Sequence, residues 1–381
     1  MGGVKIMAIE ELVKNKKYKI IVPIGYNGNK RKRHIETFIG GKKEALLREN
    51  EIKLSIKNKT YINKSKITMQ MLLEEWLEYS KIIWSPKTYV SNMHWVDNII
   101  KSIGHIHLQD LNVKLLEDFY NELRSNTSYS DKTIQHHYTI ISTALNKAVI
   151  WGYILNNPNS RIEKPKARKK EIECYSPEEV SELIDVLLKE PIKYQALIML
   201  ALDSGARRGE ITGLTWEDID FENSKISINK STQYVKDYGI FEKATKTATS
   251  DRNIYISNTT LDILKKYRKE QMERKIKLGD KWQGSKRVFT TEYGGDMHPD
   301  TPSIILRKII KKYSLKKISF HGLRHTCISL QISSGIQAQI ISRRAGHSNV
   351  TVTHKIYSHF FENEFKEIAN TMDTYLKVKS M

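Results

Sequence analysis

Apolar side chains recur along this chain at two spacings, and the spacing switches several times. Over residues 16–40, KYKIIVPIGYNGNKRKRHIETFIG alternates about Asn27-Gly28-Asn29. That pattern predicts two short strands joined by a hairpin turn. A lone hairpin is marginal in water, so a third strand is expected at residues 36–39, with a supporting helix from about Lys42. Residues 67–155 change to a helical period. ITMQMLLEEWLEYS sets Leu72, Leu73, Trp76 and Leu77 on one stripe, and Ser85-Pro86 opens another amphipathic run. With DLNVKLLEDFYNEL and SDKTIQHHYTIISTALNKAVIWGYI, four or five helices are predicted here.

The period then vanishes. Asn156 to Glu173 holds two prolines and six basic residues, Arg161, Lys164, Lys166, Arg168, Lys169 and Lys170, and reads as an exposed basic linker. Ser176, Pro177 and Glu179 match the N-cap, N1 and N3 positions of a helix. A second apolar helix follows over Ile192–Asp203. Between 224 and 257 the segments KISIN, YGIFEKATK and RNIYIS alternate, predicting three antiparallel strands. Helical spacing returns from Leu261 and runs on through Phe365, Ile368, Met372 and Leu376.

The expected fold is therefore α+β and multidomain. A small N-terminal β-sheet module spans 1–66 and an all-helical domain spans 67–158. After the linker, 159–173, comes a mainly α catalytic domain with a small three-stranded sheet, 174–361. A C-terminal helix takes 362–381.

Charge sharpens this division. The chain has 63 Lys and Arg against 43 Asp and Glu, a net +20 over 381 residues. Residues 1–66 alone hold 17 basic and 6 acidic side chains. Such a module suits a polyanion, and the Lys30, Arg31, Lys32 and Arg33 ribbon is a candidate for entering a DNA groove. Lys164, Lys166, Arg168, Lys169 and Lys170 are candidates for tracking phosphates. Membrane binding is disfavoured, because no apolar run reaches the length of a span and the basic residues do not share one amphipathic helix face. The two cysteines, Cys174 and Cys327, fit reduced thiols in a cytoplasmic, DNA-associated protein.

The chemistry concentrates late in the chain. HGLRH (His321–His325), AGH (Ala345–His347) and YSH (from Tyr357) follow an earlier SGARRGE containing Arg207 and Glu210. Attack on a phosphodiester builds negative charge on the non-bridging oxygens, which fixed cationic donors can meet without a metal. Arginine does this with a planar fork. A tyrosine hydroxyl offers a nucleophile, and the leaving oxygen needs an acid. Lys246, in a predicted turn between strands, is the candidate. His321 and His325 stand four apart on one helix face, as in a zinc helix, but Gly322 occupies the place of the glutamate such a site needs. No metal and no cofactor is expected.

Together these motifs resemble the tyrosine recombinases, the phage and conjugative-transposon integrases in particular. The correspondence runs from Arg207 with Glu210, through Lys246-Thr247, HGLRH and AGH, to Tyr357-Ser-His; Ala345 replaces the family's usual leucine. The resemblance implies that Tyr357 attacks the scissile phosphate to give a 3′-phosphotyrosyl bond and that Lys246 protonates the leaving 5′ oxygen. Arg207, Arg324 and His347 would hold the non-bridging oxygens, His321 would assist proton transfer with the tyrosine, and Glu210 would orient Arg207. It also implies double-stranded DNA partners with core and arm-type sites, a homotetramer on DNA, and an accessory DNA-bending or excision factor. A type IB topoisomerase and a chromosome-dimer or inversion-type recombinase share the same residues and stand as alternatives.

Overall fold

The computed structural model describes residues 9–27, 30–58, 67–126, 129–166, 172–244, 251–347, 349–357 and 372. The chain divides into two compact units, Met1–Lys169 and Lys170–Met381.

In the first unit, β1 (Ile9–Val13), β2 (Lys17–Asn27) and β3 (Lys30–Ile39) form an antiparallel sheet in the order β1-β2-β3. The hairpin is present, with Lys17 opposite Ile39 and Asn27 opposite Lys30. The third strand lies elsewhere than expected: residues 36–39 complete β3, and the extra partner is β1, on the other side of β2. β1 escaped notice because nearly all its positions are exposed, so no inside–outside alternation marks it. α1 (Lys42–Lys57) covers one face of the sheet, where Ile52 packs with Ile20 and Val22. Because side chains alternate across a strand, Arg33, Ile35, Thr37 and Ile39 emerge together on the other face, all exposed.

Four helices follow: α2 (Met69–Lys81), α3 (Pro86–Ile103), α4 (Val113–Ser125) and α5 (Asp131–Ile150). The predicted stripe of Leu72, Leu73, Trp76 and Leu77 is buried in their common core with Ile99, Leu116 and Ile141. Part of the expected exposed linker is held down. Pro158–Arg161 forms a 3-10 turn, and Asn159 is fully buried, accepting a 2.7 Å hydrogen bond from the Tyr120 hydroxyl. Asparagine and proline in a run without period signal irregular backbone, but not whether it is buried.

The second unit opens with α6 (Pro177–Leu187), whose capping box forms as the sequence predicts: the Ser176 hydroxyl accepts from the Glu179 amide, and the Glu179 carboxylate accepts from the Ser176 amide at 2.8 Å. α7 (Ile192–Ser204) and the short α8 (Arg208–Gly213) follow. The strands are β4 (Ile219–Asp220), β5 (Lys225–Ile228), β6 (Lys230–Val235), β7 (Gly239–Ala244) and β8 (Arg252–Tyr255). They form a sheet β4-β5-β8 and a separate β6-β7 ladder rather than one set of three. The overlooked β6 is KSTQYV, and one of its inward residues is Thr232, so its face does not look apolar. α9 (Asn258–Leu278), α10 (Thr301–Lys312), α11 (Phe320–Ser333), α12 (Ala338–Ala345) and α13 (Val350–Tyr357) complete the unit. α7 lies at its centre, with Leu197 and Leu200 fully buried among Leu264, Phe289, Leu306 and Leu323. The expected C-terminal helix lies outside the described residues except for Met372, which is helical and exposed. No described helix is long and apolar enough to cross a membrane.

Candidate active site

Two left-handed turns place the candidate arginines. α7 ends at Gly205 (φ +60°) and α12 ends at Gly346 (φ +67°), conformations that favour glycine. A Cβ at Gly346 would also meet the Arg252 guanidinium at 2.8 Å. Each turn exposes helix C-terminal carbonyls, and the arginines bridge them. Arg324, from α11 and 3% exposed, donates to the carbonyls of Gly205 (2.7 Å) and Ala345 (2.6 Å). Arg207, the N-cap residue of α8, donates to the carbonyl of Gly346 at 2.9 Å. Burial, followed by repulsion from Arg207, lowers the Arg324 pKa to about 10.

Glu210 ties the cluster from below. Its carboxylate accepts from the Arg207 amide (2.8 Å) and the Arg207 guanidinium (2.9 Å). The same carboxylate pairs at 2.7 Å with Arg252 of β8, and both of those side chains are almost wholly buried. Arg252 donates in turn to the Arg344 carbonyl at 2.8 Å. It thereby joins the β-sheet, α8 and the end of α12. Although burial opposes it, hydrogen bonds and charge from Arg252 and Arg207 hold the Glu210 carboxyl below its ordinary range.

His347 follows the Gly346 turn, and its Nδ1 lies 2.8 Å from the buried Thr353 hydroxyl. Burial and then the charges of Arg324, Arg207 and Arg252 push its pKa down to about 4. Tyr357 is the last residue of α13 and is 1% exposed, packed with Ile328, Ile332, Ile341 and Ala345. Its pKa is raised by burial, while the Arg324 charge works in the opposite direction.

The Tyr357 hydroxyl meets His325 rather than the expected His321. Nδ1 of His325 lies 2.5 Å from the phenolic oxygen, and His321 packs edge-on against His325 with ring centroids 4.7 Å apart. The two histidines share a face because four residues is about one helical turn. Sequence reasoning weighed that spacing only as a metal signature and so passed over His325. Arg252 was passed over for a different reason: it is one basic residue among 63, and its partners lie far away in sequence.

Arg207, Glu210, His321, Arg324, His347 and Tyr357 thus come together, coupled through one another's charges. Lys246 lies outside the described residues, in the segment between β7 and β8. Among the candidate DNA contacts, Lys32 and Arg33 are exposed on β3, and Lys30 and Arg31 open that strand. Lys164 is exposed, and Lys166 pairs with Glu163 at the surface. Arg168, Lys169 and Lys170 lie outside the described residues.

Comparison with known proteins places this arrangement. Residues 174–364 match the model of the phage integrase family, and residues 68–163 match that of the phage integrase SAM-like domain. The chain is 29% identical to a "tyrosine recombinase XerC-like" protein of Caldanaerobacter subterraneus subsp. tengcongensis, over 95% of this chain and 97% of that one. It is 30% identical to the integrase of Staphylococcus phage L54a, over 85% and 98%. Among solved structures it is similar to the Tn1549 transposon integrase in complex with a circular intermediate DNA. The TM-score is 0.68 at 17% identity, covering 79% of this chain and 99% of that one.

Proposed function

The chain belongs to the phage integrase family and is a tyrosine-type site-specific DNA recombinase, and on that footing we propose the part each residue plays. Tyr357 is the nucleophile. Its oxygen attacks the scissile phosphorus, the P–O5′ bond breaks, and the strand is held as a 3′-phosphotyrosine. Lys246 gives the proton to the departing 5′ oxygen. Arg207, Arg324 and His347 bind the non-bridging oxygens as charge develops on them. The two arginine forks are already fixed on helix-end carbonyls and His347 is held by the Thr353 hydroxyl, so little reorganisation accompanies the reaction. Glu210 orients Arg207, and His321 supports the tyrosine through His325. The bond energy stays in the phosphotyrosine, so a 5′ hydroxyl of another strand reverses the step without ATP or metal.

The observation that carries this reading is the gathering of a tyrosine hydroxyl, two bridged arginines and His347 at one place from four separate segments. A type IB topoisomerase and a chromosome-dimer or inversion-type recombinase are less well supported, since an integrase matches along most of the chain.

The partner is double-stranded DNA. The helical domain and catalytic unit take a core site, and the β3 ribbon of Lys30, Arg31, Lys32 and Arg33 takes a separate arm-type site. Lys164, Lys166, Arg168, Lys169 and Lys170 follow the backbone between them. Exchange between two duplexes breaks four strands, and each break occupies one tyrosine, so four copies act together on DNA. The C-terminal segment docks a neighbouring copy, and an accessory bending or excision factor sets direction. The setting is the bacterial cytoplasm, on a phage or conjugative element that the protein integrates and excises.

The test is a suicide core-site substrate whose cleaved strand cannot religate. Wild-type protein accumulates a covalent adduct, and Tyr357→Phe binds with unchanged affinity but forms none. A persistent adduct in that variant would refute the nucleophile assignment.

A further inference from the structure

We propose that His325 is a catalytic residue, the general base that receives the proton of the Tyr357 hydroxyl as that oxygen attacks phosphorus. This inference rests on Tyr357 being the nucleophile and goes beyond the roles assigned above.

The geometry carries it. Nδ1 of His325 is 2.5 Å from the phenolic oxygen, within reach for direct proton transfer. The two rings stand at 56° with centroids 5.6 Å apart, so the contact is made edgewise through nitrogen and oxygen rather than by stacking. Both residues sit on helices, α11 and α13. Among the described residues, the groups around the imidazole are His321 and Arg324 on its own helix, Tyr357 on α13, and His347 beyond α12. Cys327 and Cys174 lie near the tyrosine. None of these neighbours is a carboxylate that would compensate an imidazolium. Burial, then His321 and Arg324, hold the His325 pKa down to about 4. The ring is therefore neutral at physiological pH, and Nδ1 accepts the hydrogen bond that the hydroxyl donates.

A weak base beside a phenol of raised pKa leaves the proton on oxygen in the resting protein. The nucleophile is then not a standing tyrosinate that could react unselectively. As the Oη–P bond forms, the phenol becomes an aryl ester and its proton grows acidic, while the incoming phosphate adds negative charge that favours imidazolium. The proton moves to Nδ1 as the P–O5′ bond breaks and Lys246 protonates O5′. In the reverse step His325 returns its proton to the departing tyrosine, so each cycle balances without an outside acid or base.

The experiment compares His325→Phe, His325→Asn and His325→Ala with wild type in single-turnover cleavage of the suicide substrate from about pH 3.5 to 8, a range that spans the His325 pKa of about 4. DNA affinity and melting temperature are measured alongside. Asparagine can accept the tyrosine's hydrogen bond but cannot take its proton, so it separates holding the ring from receiving the proton. The proposal expects all three variants to cleave at least about 100-fold more slowly, with the acid limb of the pH profile lost, and added imidazole to restore His325→Ala at least tenfold relative to no additive (~10×). Wild-type cleavage by His325→Asn, or an unchanged acid limb in any variant, would overturn it. Failure of imidazole to rescue a folded, DNA-binding His325→Ala would overturn it too. A Tyr357→Phe control that still forms adduct would instead overturn the nucleophile reading.

Discussion

Replacing Glu210 by glutamine tests whether the buried ion network holds the site in place. The carboxylate meets Arg252 at 2.7 Å with side chains 4% and 6% exposed, and meets Arg207 at 2.9 Å with Arg207 43% exposed. The Arg207 pair is solvated and contributes little to stability. The Arg252 pair is not: glutamine takes this buried counter-charge away from its guanidinium, and breaking a buried pair costs about 3–5 kcal/mol. For a unit of this size, at about 2–4 °C per kcal/mol, the catalytic unit should melt roughly 10 °C lower. Differential scanning calorimetry of Glu210→Gln, Arg252→Met and the Glu210→Met/Arg252→Met double variant measures this. The double variant should regain most of the loss, because well-packed apolar residues replace a buried pair at little cost, giving a coupling of at least about 2 kcal/mol. Cleavage should stay impaired in the double variant, since Arg207 has lost its orienting carboxylate. A shift in Glu210→Gln within about 1 °C of zero, or strictly additive single and double losses, would refute the reasoning.

Other expectations follow from the same structure. His325 and His347 have pKa values near 4, against about 6.5 when unfolded. The native state then binds fewer protons than the unfolded state between those values, so stability is complete above about pH 6.5 and falls as pH drops towards 4, by about 1–2 kcal/mol per ring once solvent screening of these part-buried rings is allowed for; thermal melts across that range check this, and a flat profile contradicts it. A phosphate beside His347 offsets the arginine charges, so DNA binding near pH 6 should take up protons, seen as binding enthalpies that depend on buffer ionisation; identical enthalpies in unlike buffers would argue against His347 as a phosphate ligand. Lys32→Ala/Arg33→Ala should flatten the salt dependence of arm-site binding by about two phosphate contacts, or about 1.8 in the log–log slope, while core-site cleavage is unchanged; an unaltered slope would remove the β3 ribbon from the arm-site contact.

What was legible in the sequence depended on whether a signal was local. The Ser176 capping box, the Leu72–Leu77 stripe and the β2–β3 hairpin are each encoded within a few residues, and each formed as read. β1 and β6 were missed because their faces are exposed or carry threonine, so hydrophobic alternation never marks them. The candidate site was readable as residue types at family spacing, and the fold collects those types from distant segments. The contacts that organise it were not readable. Arg252 acts through Glu210 and the Arg344 carbonyl, partners in other elements that nothing around residue 252 announces. His325 was visible only as the second histidine of an i, i+4 pair, and its importance comes from where α13 delivers the Tyr357 hydroxyl.

The central claim is that this protein stores a DNA strand on Tyr357, and the adduct itself tests it most directly. Wild-type protein trapped on a suicide core site in the presence of a metal chelator can be digested with protease and nuclease and sequenced by mass spectrometry. The account predicts a nucleotide joined through its 3′ phosphate to the peptide bearing Tyr357, with a free 5′ hydroxyl on the released strand. An adduct on any other residue, a 5′-phosphate linkage, or cleavage that stops when metal is removed would contradict it.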